Sequence, residues 1–325
     1  MLKKVELHVH LEGSVAPDLA RKLAKRNQLS IPEKLISPDG KTYPSDNFIH
    51  FLSVYDQLAD LIKYPQDYYD ITFDYLKRNA EKGAIYIEMM YSPDHAEKSS
   101  GIPSIEHLQA IQQAVDDAEE KHEISGRIIV TAVRHYGAEA AEAIAKTIHT
   151  NSVPCVVGFG LGGDEAGYPA PLFKRAYQIA NDGGLSCTVH AGEFAGPESM
   201  EQAMDTLPIK RIGHGVRGIE SMDTLKRVRD KDIALEVCPT SNIFLGLYPD
   251  MTKHPLPKLL EMGIKVSINS DDPPFMDCTL AGEYEKVQNA YSFTDAQMNE
   301  ITKMAIVDSF ADQETKKRLI ARVSA

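Results

Sequence analysis

VELHVHLEG (residues 5–13) sets two histidines, His8 and His10, into an alternation whose other half is Val5, Leu7 and Val9. A β-strand turns successive side chains to opposite faces, so the two imidazoles share one face while the three aliphatics belong to a core. Seven further runs have the same form, β-branched or apolar residues closing on a tip of glycine, polar or ionisable residues. They are GAIYIEMMYSP (83–93), GRIIVTAVRH (126–135), CVVGFGLGGDE (155–165), LSCTVHAGE (185–193), RIGHGV (211–216), IALEVCPTSN (233–242) and KVSINSDDPP (265–274). Helical patterning lies between them, as in IEHLQAIQQAVDDAEEKH (105–122), where apolar residues recur at threes and fours. Gly83, Gly126, Gly184 and Gly263 precede strands as helix stops.

Strand and helix repeated eight times predict a parallel (β/α)8 barrel of the TIM type, formed by one catalytic domain over residues 1–325. A doubly wound open sheet is the alternative, but no G-x-G-x-x-G follows a strand and opens a helix. The first crossover, about residues 13–82, is too long for one helix and reads as a helical insertion after strand one. It starts at Pro17, runs through the loop ISPDGKTYPSDN (36–47) and continues into FIHFLSVYDQLADLI (48–62), in part a lid over the barrel mouth. Near the other end, Thr294 and Gln297 form a capping box.

The 325 residues, 43% of them hydrophobic, can bury a large core, and the net charge of −12 argues against nucleic acid or an anionic membrane surface as partner. A small molecule is the expected partner. No segment has the length and apolarity of a signal peptide or membrane span, so a cytoplasmic location is expected. Cys155, Cys187, Cys238 and Cys278 are widely spaced and read as reduced, structural residues.

Chance supplies about 0.4 H-x-H pairs in a chain with 11 histidines among 325 residues, so the pair alone says little. Its placement says more. Active sites of such barrels sit at the C-terminal rim of the strands, and there His8 and His10 meet His190 of run five, His214 of run six and the Ser270-Asp271-Asp272 tip of run eight. Three imidazoles and one carboxylate suit Zn²⁺, which activates water at neutral pH. The end of run four offers no lysine to bridge two metals, so one ion per chain is expected. The other zinc deaminase signature, H-x-E with P-C-x-x-C, is missing. His50, His95, His107, His122, His149 and His254 fall in helices or loops and are expected at the surface. His135 beside Arg134 is expected to form a structural hydrogen-bonding pair, with Glu88 as a candidate partner.

The H-x-H opening, GGDE (162–165), HAGE (190–193), RIGHG (211–215), EVCPTSN (236–242) and NSDDP (269–273) closely resemble the adenosine deaminase family over nearly the whole chain. That resemblance implies zinc bound by His8, His10, His190 and Asp271. It implies Glu193 as the acid that protonates purine N1, His214 as the group that positions the attacking oxygen, and Asp271 as the acceptor of a water proton. It also implies Asp272 at N7 and the backbone N–H of Gly163 at N3. Glu12 stands where many members carry an Asp that holds the ribose 5′-hydroxyl, and Gly160 where several carry Asp. Phe51, Leu52 and Tyr55 are candidates for the apolar wall over the ribose.

The resulting expectation is zinc-dependent hydrolysis of adenosine and 2′-deoxyadenosine to inosine and 2′-deoxyinosine, a purine nucleoside reading favoured by the intact Gly163-Asp164-Glu165 segment. A deaminase of adenine itself, or of a modified adenosine such as aminodeoxyfutalosine, is the second reading. A metal-binding scaffold without catalysis is the third, against which Glu193 and His214 speak. AMP is disfavoured because no Arg/Lys cluster sits at a strand tip.

Overall fold

The computed structural model describes residues 1–44 and 48–324. Parallel strands form where the sequence places its apolar runs: β1 (Lys4–Glu6), β2 (Ala84–Tyr91), β3 (Ser125–Val133), β4 (Val156–Gly162), β5 (Ser186–Cys187), β6 (His190–Ala191), β7 (Arg211–His214), β8 (Ala234–Val237) and β9 (Val266–Ile268). They pair as β1-β2-β3-β4-β5 and β6-β7-β8-β9. All eight residues of β2 are buried, as a strand covered on both faces requires.

β5 and β6 are halves of one pass, interrupted at Thr188 and Val189. There the Thr188 N–H bonds to the Phe159 carbonyl at 3.0 Å and the Val189 carbonyl takes the Gly213 N–H at 2.8 Å. The eighth pass returns to the first, the His10 N–H donating to the Asp271 carbonyl at 2.9 Å. Eight passes with helices outside make a (β/α)8 barrel. Outward-facing Val5 and Leu7 pack with Ile85 and Tyr86 on Ile306 and Leu319 of the two C-terminal helices. The opposite face of the same strand sends Glu6 and His8 into the interior, both fully buried.

The first crossover carries three helices, Pro17–Arg26, Phe48–Ala59 and Pro65–Ala80. Asp67 ties the first to the third. Its carboxylate takes the N–H groups of Lys63 and Tyr64 and the Asn27 amide at 2.7–2.9 Å and pairs with Arg26. Of the expected loop over 36–47, residues 45–47 lie outside the described residues. The capping box at Thr294 forms as expected.

Gly83, Gly184 and Gly263 follow helices with φ between +73° and +91°, but Gly126 does not. It lies inside β3, and the preceding helix ends instead at Glu123, φ +53°. A Cβ at 126 would meet Leu76 at 3.0 Å and Val115 at 3.1 Å, so this glycine lets two helices approach the sheet. All four cysteines are free. Among the described residues no helix is long and apolar enough to cross a membrane.

Candidate functional site

At the C-terminal rim the strand ends bring His8, His190, His214 and Asp271 together, with one ligand atom from each lying within 4.8 Å of the others. His10 forms a second such group with Asp271 and Asp272. Asp271 therefore stands between all the imidazoles, with Oδ1 3.4 Å from Nε2 of both His8 and His10. His214 and Asp271 hold positive φ, +60° and +63°. Asp and His enter that left-handed region several-fold more readily than most side chains.

Hydrogen bonds on the far side of the rings decide which nitrogens face inward. His8 Nδ1 donates to Glu236 Oε2 at 2.8 Å, which leaves Nε2 buried with no hydrogen bond of its own. His190 Nδ1 donates to the Leu161 carbonyl at 3.1 Å, and its Nε2 sits 3.3 Å from His10 Nε2. Facing lone pairs of this kind, beside a carboxylate, fit a divalent cation, and outer partners on the remote nitrogen are how such ligands are oriented. A metal of this type suits the donor set.

The ionisation pattern agrees for His190 and His10. Burial drives His190 well below its usual value and His10 down to about 4, leaving both neutral and able to ligate. Burial also opposes charge on His8, yet Asp271 and Glu236 hold its pKa up to about 10, so without an ion this ring carries a second proton that a bound cation would have to displace. Asp271 resists burial in turn and stays well below the usual carboxylate range because His8, His214 and His10 surround it. Glu193 moves the other way: burial first, and then the charges of Asp271 and Glu165, push it well above the usual range. Asp272 is raised likewise by burial and Asp271, and its Oδ1 has no partner. Carboxyls forced apart in pKa within one cleft divide acid from base work.

A cavity of about 140 Å³ opens over this group, lined by His10, Gly163, Glu193, His214, Asp271 and Asp272, with Phe51, Leu52 and Tyr55 on its outer wall. Phe51 and Tyr55 pack on Phe275 with ring centroids 5.2 and 5.7 Å away. Glu12 does not line it. That side chain is buried behind the wall, takes the Tyr68 hydroxyl at 3.2 Å, and is raised by burial to about 7.

Four of the histidine expectations fail: His95 lines the cavity, with its side chain only 15% exposed and Nε2 3.1 Å from Asp56. His107 and His254 are buried, not at the surface, the first bonded to Tyr91 and the second to Asn242. His135 lines the cavity and does not reach Glu88. Arg134 donates through Nη1 and Nη2 to the carbonyls of Tyr168 and His190, while Glu88 takes Arg211 at 2.5 Å.

A family model described as adenosine deaminase matches residues 3–325. The chain belongs to the adenosine deaminase family. As a member it is a hydrolytic deaminase. The adenine deaminase of Rhizobium leguminosarum bv. trifolii is 41% identical over 322 residues, which cover 99% of each chain. The crystal structure of adenine deaminase from Arthrobacter aurescens matches with a TM-score of 0.92 at 29% identity, covering 100% of this chain and 98% of that one. An amidohydrolase from Burkholderia ambifaria with bound Zn matches at 0.90 and 28% identity, covering 99% and 90%.

Several residues that build the centre of this deaminase carry no individual signal in the sequence. Glu236 takes His8, Thr188 and Arg211 at 2.6–2.9 Å, so a fully buried chain Glu88–Arg211–Glu236 supports the first histidine. Ser241 donates to Asp271 Oδ2 at 2.7 Å. Glu6 holds the Ser270 backbone N–H, the Ser270 hydroxyl and the Tyr75 hydroxyl at 2.6–2.8 Å. The GGDE segment is likewise scaffolding: Glu165 accepts the N–H groups of Gly192, Glu193, Phe194 and Ala195 at 2.5–3.2 Å. It fixes the loop that presents Glu193. A segment with that duty is needed whether the purine carries a sugar or not.

Proposed function

We propose that the chain hydrolyses adenine to hypoxanthine and ammonia. Full-length likeness to adenine deaminases, 41% over 322 residues in one case, is the observation that carries the substrate. Two features support it. The cavity of about 140 Å³ is smaller than the roughly 300–1,000 Å³ of drug-sized pockets, and Glu12, the residue the nucleoside reading set against a 5′-hydroxyl, is turned to Tyr68 and does not line it. The nucleoside reading rested on the GDE segment, whose Glu165 holds backbone instead.

A single divalent cation, Zn²⁺ in this reading, would be held by His8, His10, His190 and Asp271 and would supply the Lewis acidity that makes water nucleophilic at neutral pH. The other steps fall to side chains. Glu193, kept protonated by its burial, gives its proton to purine N1 and makes C6 electron-poor. Asp271 takes one proton from the adding water and hands it to the exocyclic amine, which leaves as ammonia when the C6–N bond breaks. The second water proton returns to Glu193 as C6=O forms, and N1 keeps the first. Asp272, also kept protonated, can donate to N7, an acceptor that an ionised carboxylate would repel. Gly163 lines the cavity, and its N–H would serve N3. The helix Phe48–Ala59 acts as cover, with Asp56 tied to His95 at 3.1 Å across the mouth.

Ammonia release from adenine, adenosine and 2′-deoxyadenosine by metal-replete protein tests this. The expected outcome is kcat/KM for adenine roughly 100-fold or more above either nucleoside. The reverse preference would return the substrate to a nucleoside. Turnover of no purine would leave a metal-binding scaffold.

A further inference from the structure

Behind His214, on the side away from the cavity, lies a buried string of polar groups that the reaction as described does not use. The Leu256 backbone N–H points at His254 Nδ1 at 3.3 Å, His254 Nε2 lies 3.1 Å from Asn242 Oδ1, and Asn242 Nδ2 lies 3.3 Å from His214 Nδ1. Asn242 and His254 are 0% and 3% exposed, so solvent cannot substitute for either partner. We propose that Asn242 and His254 are positioning residues that fix the tautomer of His214, so that it meets the substrate as an N–H donor and not as a metal ligand.

The direction of the string follows from its one donor that cannot reverse. A backbone amide can only donate, so His254 Nδ1 must be the lone-pair nitrogen and its proton must sit on Nε2. That proton needs an acceptor, which orients the Asn242 amide with oxygen toward His254 and nitrogen toward His214. The Asn242 N–H then meets a lone pair on His214 Nδ1, and the proton of neutral His214 is left on Nε2. That atom faces the site, 3.7 Å from Glu193 Oε2 and 4.0 Å from Asp271 Oδ2. Burial, which brings His254 down to about 3, keeps the middle ring neutral as the string requires. His214 shares an imidazole and carboxylate group with His8, His190 and Asp271. A nitrogen that keeps its hydrogen has no lone pair to give a cation, so the string removes His214 from the ligand set and leaves that place to His10.

This assignment rests on the deaminase reading only for its consequence in turnover, and its primary test does not use turnover. Histidine-selective ¹⁵N labelling of the metal-loaded protein, with the His214 resonances assigned by their loss in His214→Gln, reports the protonation of each ring nitrogen. The expected pattern is a bare Nδ1 and a protonated Nε2. Asn242→Asp replaces the amide donor by an acceptor of the same shape, and the expected result is a proton on His214 Nδ1. With it kcat falls at least about tenfold, toward the roughly 10⁴-fold cost of a wrong imidazole tautomer in a serine protease, while KM stays within about threefold. His254→Leu gives the same loss, and His254→Gln, which keeps a donor toward Asn242 Oδ1, rescues most of it. A wild-type His214 with its proton on Nδ1, a metal-shifted Nε2, or an unchanged tautomer in Asn242→Asp would overturn the proposal. If no purine is turned over, the substrate reading falls while the spectra still decide the tautomer.

Discussion

Lowering the pH from 7.5 to 5 should destabilise this protein in part through one imidazole that the fold refuses to charge. His254 is 3% exposed, its Nδ1 accepts the Leu256 N–H and its ring packs 5.1 Å from Tyr248, so protonation would set a cation against a backbone donor in an apolar wall. Burial lowers its pKa from 6.5 to about 3. A depressed histidine pKa means the unfolded chain binds the proton first. The stabilisation is therefore complete above about pH 6.5 and is lost as pH falls toward about 3. At pH 5 the unfolded imidazole is about 1.5 units below its own pKa while the folded ring is still neutral, which is worth about 2 kcal/mol. With an unfolding entropy of about 2.1 cal/mol/K per residue, that moves Tm by about 3 °C. Calorimetric melts of wild type and His254→Gln at both pH values isolate the effect, because His107, other titrating groups and acid release of metal are common to both. Wild type should lose about 3 °C more than the variant between pH 7.5 and 5. Equal losses within about 1 °C, or a larger loss in the variant, would refute the reasoning.

In the proposed reaction Glu193 gives a proton and ligates nothing, so Glu193→Gln should abolish deamination while bound metal stays near one ion per chain; metal analysis beside an ammonia assay checks both halves. His8→Ala removes a ligand whose Nε2 has no other partner, so metal and activity should disappear together on dialysis against a weak chelator. Glu236→Gln weakens the partner of His8 Nδ1 and should lower metal affinity about 10–100-fold in a competition titration, with the fold intact by circular dichroism. Arg211→Met strands the buried carboxylates of Glu88 and Glu236 and should cost about 3–5 kcal/mol in denaturant unfolding.

The barrel was legible because every strand carries its own signature, an apolar run closing on polar residues, and because the i, i+2 rule alone sends His8 inward while Val5 and Leu7 face the C-terminal helices. The ligand candidates were legible for the same reason. What lay hidden depends on pairs far apart in the chain. Nothing near Glu236 announces that it will meet His8 from 228 residues away, and nothing near His254 announces burial against Asn242. His107 lies on a helix whose buried face takes in Ser104 and His107 beside the aliphatic positions. Gly126 looked like a helix stop because close approach by Leu76 and Val115 leaves no trace in local sequence. The reaction class could be read from the ordered motifs that resemble the adenosine deaminase family. The sugar could not, since Glu165, in the segment taken as its marker, serves the backbone around Glu193.

Anomalous diffraction from crystals of the purified protein at the zinc absorption edge tests the central claim most directly. The expected result is one peak per chain, about 2.0–2.2 Å from nitrogens of His8, His10 and His190 and an oxygen of Asp271, with His214 outside bonding distance. A rim with no bound ion, or an ion held through His214 in place of His10, would contradict it.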